Sequence, residues 1–252
     1  MPDEIGTAMV RDLLALGVRS GGVLLVHSAL RSLGPMPGGA ETVVQALLEA
    51  LGDSGTLLMP ALSYASVGSD HPVFDVLATP SCVGALPEYF RTRPGTLRSA
   101  HPTHSVCGRG QLAAELLTDH QLDTTPCGPH SPFTRLPHVN GQILFLGCGL
   151  RPNTSMHAVE EQVVPPYLFD GMVDYRVVLA DGAEIQMQVR SHNFRDHHQR
   201  YDRLDGLLKG SNLCRGKVLQ ADCWLVEPRP MWAAALAALR LDPFFFVEPK
   251  TV

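Results

Sequence analysis

Nothing in this sequence of 252 residues suits it to a bilayer, because no apolar stretch reaches the roughly 18 residues that a spanning helix needs. The opening MPDEIGTAMVRD is acidic and lacks a basic segment followed by an apolar one, so a cytoplasmic protein is expected rather than a secreted one. Positive charge is also short: 20 Lys and Arg face 25 Asp and Glu, the formal charge is −5, and the basic residues are scattered. That distribution offers no footprint for a nucleic acid. The six cysteines (Cys82, Cys107, Cys127, Cys148, Cys214, Cys223) stand at irregular gaps with no C-x-x-C pair. Neither a zinc ribbon nor a disulfide frame is expected from that spacing, and free thiols are. Repeats, low-complexity tracts and long linkers are missing too, which points to one domain over residues 1–252.

What is present is apolar material, 45% of the chain, distributed as short runs and stripes. Residues 3–16 carry Ile5, Met9, Leu13 and Leu16 at helical spacing, with Gly17 placed to end the helix. VLLVH (23–27) and GTLLMPAL (55–62) are continuous apolar runs of the kind buried on both faces of a parallel sheet. Between them ETVVQALLEAL (41–51) has one apolar stripe, so the three form a strand-helix-strand unit with a right-handed crossover. Further on the sequence predicts a loop over 63–80, a helix over 83–92 disturbed by Pro87, and a strand over 105–110. A helix over 111–120 and a buried strand over 142–147 follow. TSMHAVEEQ (154–162) opens a helix with Asn153 or Thr154 at its N-cap. A hairpin turns about Asp181-Gly182, a helix is expected over 197–209, one or two strands over 215–226, and a last helix over 231–240. The fold class is therefore α/β, with a mixed central sheet flanked by helices.

Three clusters carry chemistry. His157 and Glu160, three apart at the start of a helix after a buried strand, share a helix face and sit where open α/β sheets bind ligands. Glu160 could orient the imidazole and stabilise its protonated form; Glu161, one residue on, has the same reach, and a solvated surface histidine is the plainer reading of the spacing. HPTHS brings His101, His104 and Ser105 to a strand entry, as ligand contacts or as a metal pair interrupted by Pro102. HSALRSLGPMPGG (27–39) joins a strand to a helix N-terminus, a place for phosphates, although it contains neither G-x-G-x-x-G nor the Gly-Lys-Ser/Thr of a Walker sequence. The run HNFRDHHQR (192–200) reads as a solvated helix face.

Taken together these segments resemble the aminoglycoside 3-N-acetyltransferase family. VLLVHSALRSLGPMPGGAETVVQALLEALGDSGTLLMPA is similar to its N-terminal block, and RSAHPTHSVCGRG to its His-Pro block. SPFTRL and GQILFLGCGLRPNTSMHAVEE are similar to its strand-loop-helix with T-x-x-H-x-x-E. The matches run in order over residues 10–165, with a weaker one at Tyr201-Asp202-Arg203. The resemblance implies acetyl-CoA as cosubstrate, no metal, His157 and Glu160 as the catalytic pair, and Thr154 in support. It further implies that Ser28, Ser32, Leu33, Gly34, Gly38, Gly39, Ser105 and Val106 lie near the coenzyme. The partner implied is a small-molecule amine, an aminoglycoside or a related compound; neither nucleic acid nor membrane is expected, and a homodimer is left open. The competing reading is a metal-dependent hydrolase using His101, His104, His157 and Glu160.

Overall fold

The computed structural model describes residues 2–250. Its first half lays down α1 (Pro2–Leu16), β1 (Val23–Ser28), α2 (Ala40–Leu51), β2 (Thr56–Pro60), β3 (Val73–Asp75), α3 (Ala85–Thr92), β4 (Leu97–Arg98), β5 (Val106–Gly110) and α4 (Ala113–Leu117). Then come α5 (Pro132–Arg135), β6 (Gln142–Leu146), α6 (Ser155–Val163), β7 (Phe169–Val178), β8 (Glu184–His192) and β9 (His197–Gln199). The chain closes with α7 (Leu204–Leu207), β10 (Leu213–Val218), β11 (Ala221–Val226), α8 (Pro228–Leu241) and β12 (Val247–Pro249).

Seven strands form the main sheet in the order β10-β11-β6-β1-β2-β5-β4. β1 runs parallel to both β2 and β6, while β5 and β11 flank this trio antiparallel, so the sheet is mixed as expected. Alternate residues of β1 serve opposite faces. Leu24 and Val26 join Val43, Val44, Leu47 and Leu51 of α2 in one core; Val23 and Leu25 join Met156 and Val159 of α6 in the other. Each fully buried aliphatic side chain there contributes about 1.5–3 kcal/mol relative to exposure. The consequence for function is topological. α2 leaves the carboxyl end of β1 for one face and α6 leaves the carboxyl end of β6 for the other, which opens a crevice where ligands of such sheets bind.

Several local expectations are corrected. The segment over 63–80 is not all loop: Val73–Asp75 pairs in parallel with β7 in a small sheet β3-β7-β8. Pro87 does not disturb α3, because it lies in the first turn, where a missing N–H breaks no helical bond. The helix expected over 111–120 is reduced to Ala113–Leu117, ended where the Thr118 backbone turns extended. The largest correction is at 197–209. His197–Gln199 lacks an apolar stripe and pairs antiparallel with Val247–Pro249, and only Leu204–Leu207 is α-helical. The Asp181-Gly182 hairpin forms as expected, with Gly182 at φ 85°. Thr154 takes the N-cap position of α6, yet no side-chain hydrogen bond caps the helix.

Candidate active site

A cavity of about 1140 Å³ opens at the crevice, walled by the ends of β1 and β2, the loop before α6, and the end of β8 with the segment after it. His157 stands on its wall and Glu160 lies behind it, 0% exposed. One turn of α6 brings the two together, with His157 Nδ1 3.0 Å from Glu160 Oε2. A carboxylate with no access to water needs donors. Tyr201 Oη donates to Glu160 Oε2 at 2.7 Å and Tyr167 Oη to Oε1 at 2.8 Å. Tyr201 Oη also lies 3.1 Å from His157 Nδ1. Since a carboxylate only accepts, Nδ1 carries the proton toward Glu160, and the lone pair of Nε2 is the one turned to the cavity.

Glu161 does something different. It accepts from Thr125 Oγ1 at 2.6 Å and the Cys127 backbone N–H at 2.8 Å, and it holds His192 Nε2 at 2.9 Å. Burial pushes this carboxyl up to about 7, against the pull of those hydrogen bonds. His192, at the end of β8, lines the cavity beside His157 with ring centroids 4.7 Å apart. His104 closes the group, its Nδ1 2.9 Å from Thr103 Oγ1. Burial, then the neighbouring imidazoles, holds His104 well below the usual histidine range; burial and then His157 do the same to His192. His27, stacked on Phe145 and also on the wall, is lowered to about 3, mostly by burial.

A buried imidazole backed by a carboxylate, with its free nitrogen on a cavity at strand ends, is equipped to take a proton from a bound nucleophile. A family profile described as aminoglycoside 3-N-acetyltransferase matches residues 25–240. The chain belongs to that family. It is 35% identical over 245 residues to aminoglycoside N(3)-acetyltransferase IV of Salmonella sp., covering 96% of this chain and 89% of that one. Among solved structures it is similar to a histidine-to-alanine variant of aminoglycoside acetyltransferase AAC(3)-IVa in complex with a gentamicin. Identity there is 34%, coverage 96% of this chain and 91% of that chain, and the TM-score 0.81. It is likewise similar to AAC-IIIb in its binary complex with CoASH, at 25% identity, 98% coverage of both chains and a TM-score of 0.81. The family's members are acyltransferases, and the hydrolase reading is set aside.

The structure separates the residues singled out from the sequence. Thr154 lines the cavity together with Ser28, and no hydrogen bond engages the Thr154 hydroxyl among the described residues. Ser28 Oγ is buried without a partner. Ser32, Gly34, Gly38 and Gly39 form the loop leading to α2, outside the cavity wall. Ser32 packs so closely on Gly147 that a Cβ there would meet Ser32 Oγ at 1.6 Å, which ties this loop to the one before α6. Leu33 is a core residue, 1% exposed. Ser105 Oγ donates to Ala61 O at 2.8 Å and accepts from Arg98 Nε at 2.9 Å, and Val106 is fully buried. His101 does not line the cavity, and its Nδ1 accepts from the His104 backbone N–H at 3.0 Å.

Three side chains of the candidate site escape the sequence reading. His192, expected on a solvated helix face, is instead a strand-end residue whose side chain is 6% exposed, because the hairpin β7–β8 returns it to α6. Tyr167 and Tyr201 lie 7 and 41 residues from Glu160. The similarity around Tyr201-Asp202-Arg203 is the one available signal for the second of them.

Proposed function

We propose that this chain, as one domain working in the cytoplasm, moves the acetyl group of acetyl-CoA to an amino group of an aminoglycoside or related small amine, with His157 as general base. The observation that carries this reading is the buried Glu160 carboxylate that holds His157 Nδ1 and turns Nε2 toward a cavity of about 1140 Å³. The amine enters as the free base, attacks the thioester carbonyl, and passes its surplus proton to His157 Nε2. The imidazolium then returns that proton to the departing thiolate, so CoASH leaves as the thiol. Glu160 stabilises the imidazolium, and Tyr167 and Tyr201 keep that carboxylate in place. The unengaged Thr154 hydroxyl and Ser28 Oγ are proposed as donors to the oxyanion.

For the coenzyme, Ser28, Ser32, Gly34, Gly38 and Gly39 are proposed contacts, with Leu33, Ser105 and Val106 supporting the wall from behind. A Cβ on Gly39, the N-cap of α2 at φ 61°, would meet nothing within 4 Å, so the free N–H groups of that twelve-residue helix are approachable by a phosphate. Complexes of relatives with CoASH and with a gentamicin support both reactants, and resistance to such antibiotics is the expected phenotype. Release of thiol from acetyl-CoA, measured across a panel of aminoglycosides and simple amines, tests the reading. No amine-dependent thiol release with any acceptor would overturn it.

A further inference from the structure

We infer that His104, His157 and His192 form a three-histidine binding site for a borderline divalent cation such as Zn²⁺, and that the ion, when bound, inhibits acetyl transfer rather than supporting it. One ring nitrogen from each of the three lies within 4.8 Å of one from each of the others. One nitrogen of each ring is already held: His157 Nδ1 by Glu160, His192 Nε2 by Glu161, and His104 Nδ1 by Thr103. This leaves His104 Nε2, His157 Nε2 and His192 Nδ1 for the ion, and His192 Nδ1 is buried without a hydrogen-bond partner. Carboxylates behind the ligating imidazoles fix tautomer and ring orientation, as in metal sites built on histidine.

The three rings arrive from separate elements, the loop before β5, α6 and the end of β8, and all face the same cavity. The fourth coordination position therefore opens to water or to the incoming amine. Zinc–nitrogen bonds of about 2.0–2.1 Å require the nitrogens to close to roughly 3.3 Å, a rotation of side chains rather than a movement of backbone. Imidazole donors select zinc, cobalt, nickel or copper over magnesium and calcium. Inhibition follows because the metal takes the Nε2 lone pair that the reaction needs. That second part rests on His157 being the base, whereas binding does not.

The test uses the full chain stripped with a chelator and titrated with Zn²⁺ calorimetrically, with Co²⁺ absorption as a report on coordination. One ion per chain is expected, with no response to Mg²⁺. Affinity should fall at least about tenfold in His104→Ala and in His192→Ala, and by about 10–100-fold in Glu161→Gln, which removes the carboxylate behind His192. CoA binding measured on each variant confirms that the chain is folded. Chelation should raise acetyl transfer by zinc-treated protein. Absence of saturable zinc binding, or affinity equal to the parent in all three variants, would overturn the site. Zinc held by these histidines with acetyl transfer undiminished would instead overturn the inhibition and the assignment of His157 as base.

Discussion

Glu160 and Glu161 are neighbours in the chain, yet their carboxylates hold two different imidazoles: Glu160 holds His157 at 3.0 Å and Glu161 holds His192 at 2.9 Å. Consecutive helix positions point about 100° apart, so one carboxylate goes down into the core and the other across to β8. The i+3 spacing wins His157 over the i+4 spacing because Tyr167 and Tyr201 wait in the core to satisfy Glu160. An uncompensated buried carboxylate would have no such position.

The tyrosines give the first prediction. Tyr201→Phe removes a donor that touches both members of the pair, whereas Tyr167→Phe removes one that touches only Glu160. A hydrogen bond to a charged group is worth about 1.5–3 kcal/mol. Tyr201→Phe should lower kcat by about tenfold or more with little change in the Michaelis constant for acetyl-CoA, and Tyr167→Phe should cost less. Equal effects, or none, in steady-state kinetics would remove the tyrosines from the proposed apparatus.

How far such relationships are legible in sequence depends on distance along the chain. β1, β2 and β6 are readable because strands buried on both faces are unbroken apolar runs, and α2 because its stripe is continuous. β3, β9 and β12 are three residues each, too short for any period, and are defined by partners a hundred residues away or about fifty. His157 with Glu160 is visible as a local spacing. His192 and Tyr201 belong to the site only through the path of the hairpin and the turn that follows it, which no local spacing encodes.

The loop before α2 gives the second prediction. Gly39→Ala forces a side chain onto positive-φ backbone (φ 61°, ψ −135°), at a cost of about 1–3 kcal/mol, and sets a methyl group where nothing now stands within 4 Å. Weaker CoA binding is expected, read by calorimetry, with only a small drop in melting temperature. A variant that binds CoA as the parent does would move the phosphates elsewhere.

A third prediction concerns acid stability. Glu41 at the start of α2 accepts from Arg93 at 2.8 and 3.0 Å, from Gln45 at 2.7 Å and from Tyr89 at 2.9 Å, so it ties α2 to α3. Arg93 first, then Gln45 and Tyr89, lower its pKa from the ordinary 4.5 to about 2. A depressed carboxyl favours the folded state above its unfolded pKa, and that contribution fades as pH falls from 4.5 toward 2. Glu41→Gln should therefore lower the melting temperature at pH 7, with the gap to the parent narrowing steadily below pH 4.5. A gap that stays constant down to the acid limit of folding would show that the lost contact is not ionic.

The last prediction bears on the proposed base. His157→Ala should lower kcat by about 10²–10⁴ while fold and CoA binding persist. The side chain lines the cavity and forms part of neither apolar core, so its loss leaves the packing of α6 on α8 intact. In the proposed reaction the imidazole is required only where the amine gives up its proton, so the loss falls on the transition state, and kcat should fall further than the Michaelis constant rises. Glu160→Gln keeps the ring but replaces a charged acceptor held by two tyrosines with a neutral amide, whose NH₂ group confronts one of those donors. Activity should drop, by less than in His157→Ala, since the base survives without the group that stabilises its protonated form. Glu161→Gln acts on His192 instead, so in metal-free buffer it should cost less than Glu160→Gln. Kinetics on the three variants, with thermal melts as controls, decide the matter: near-normal kcat in His157→Ala, or a greater loss in Glu161→Gln than in Glu160→Gln, would transfer the role of base to His192.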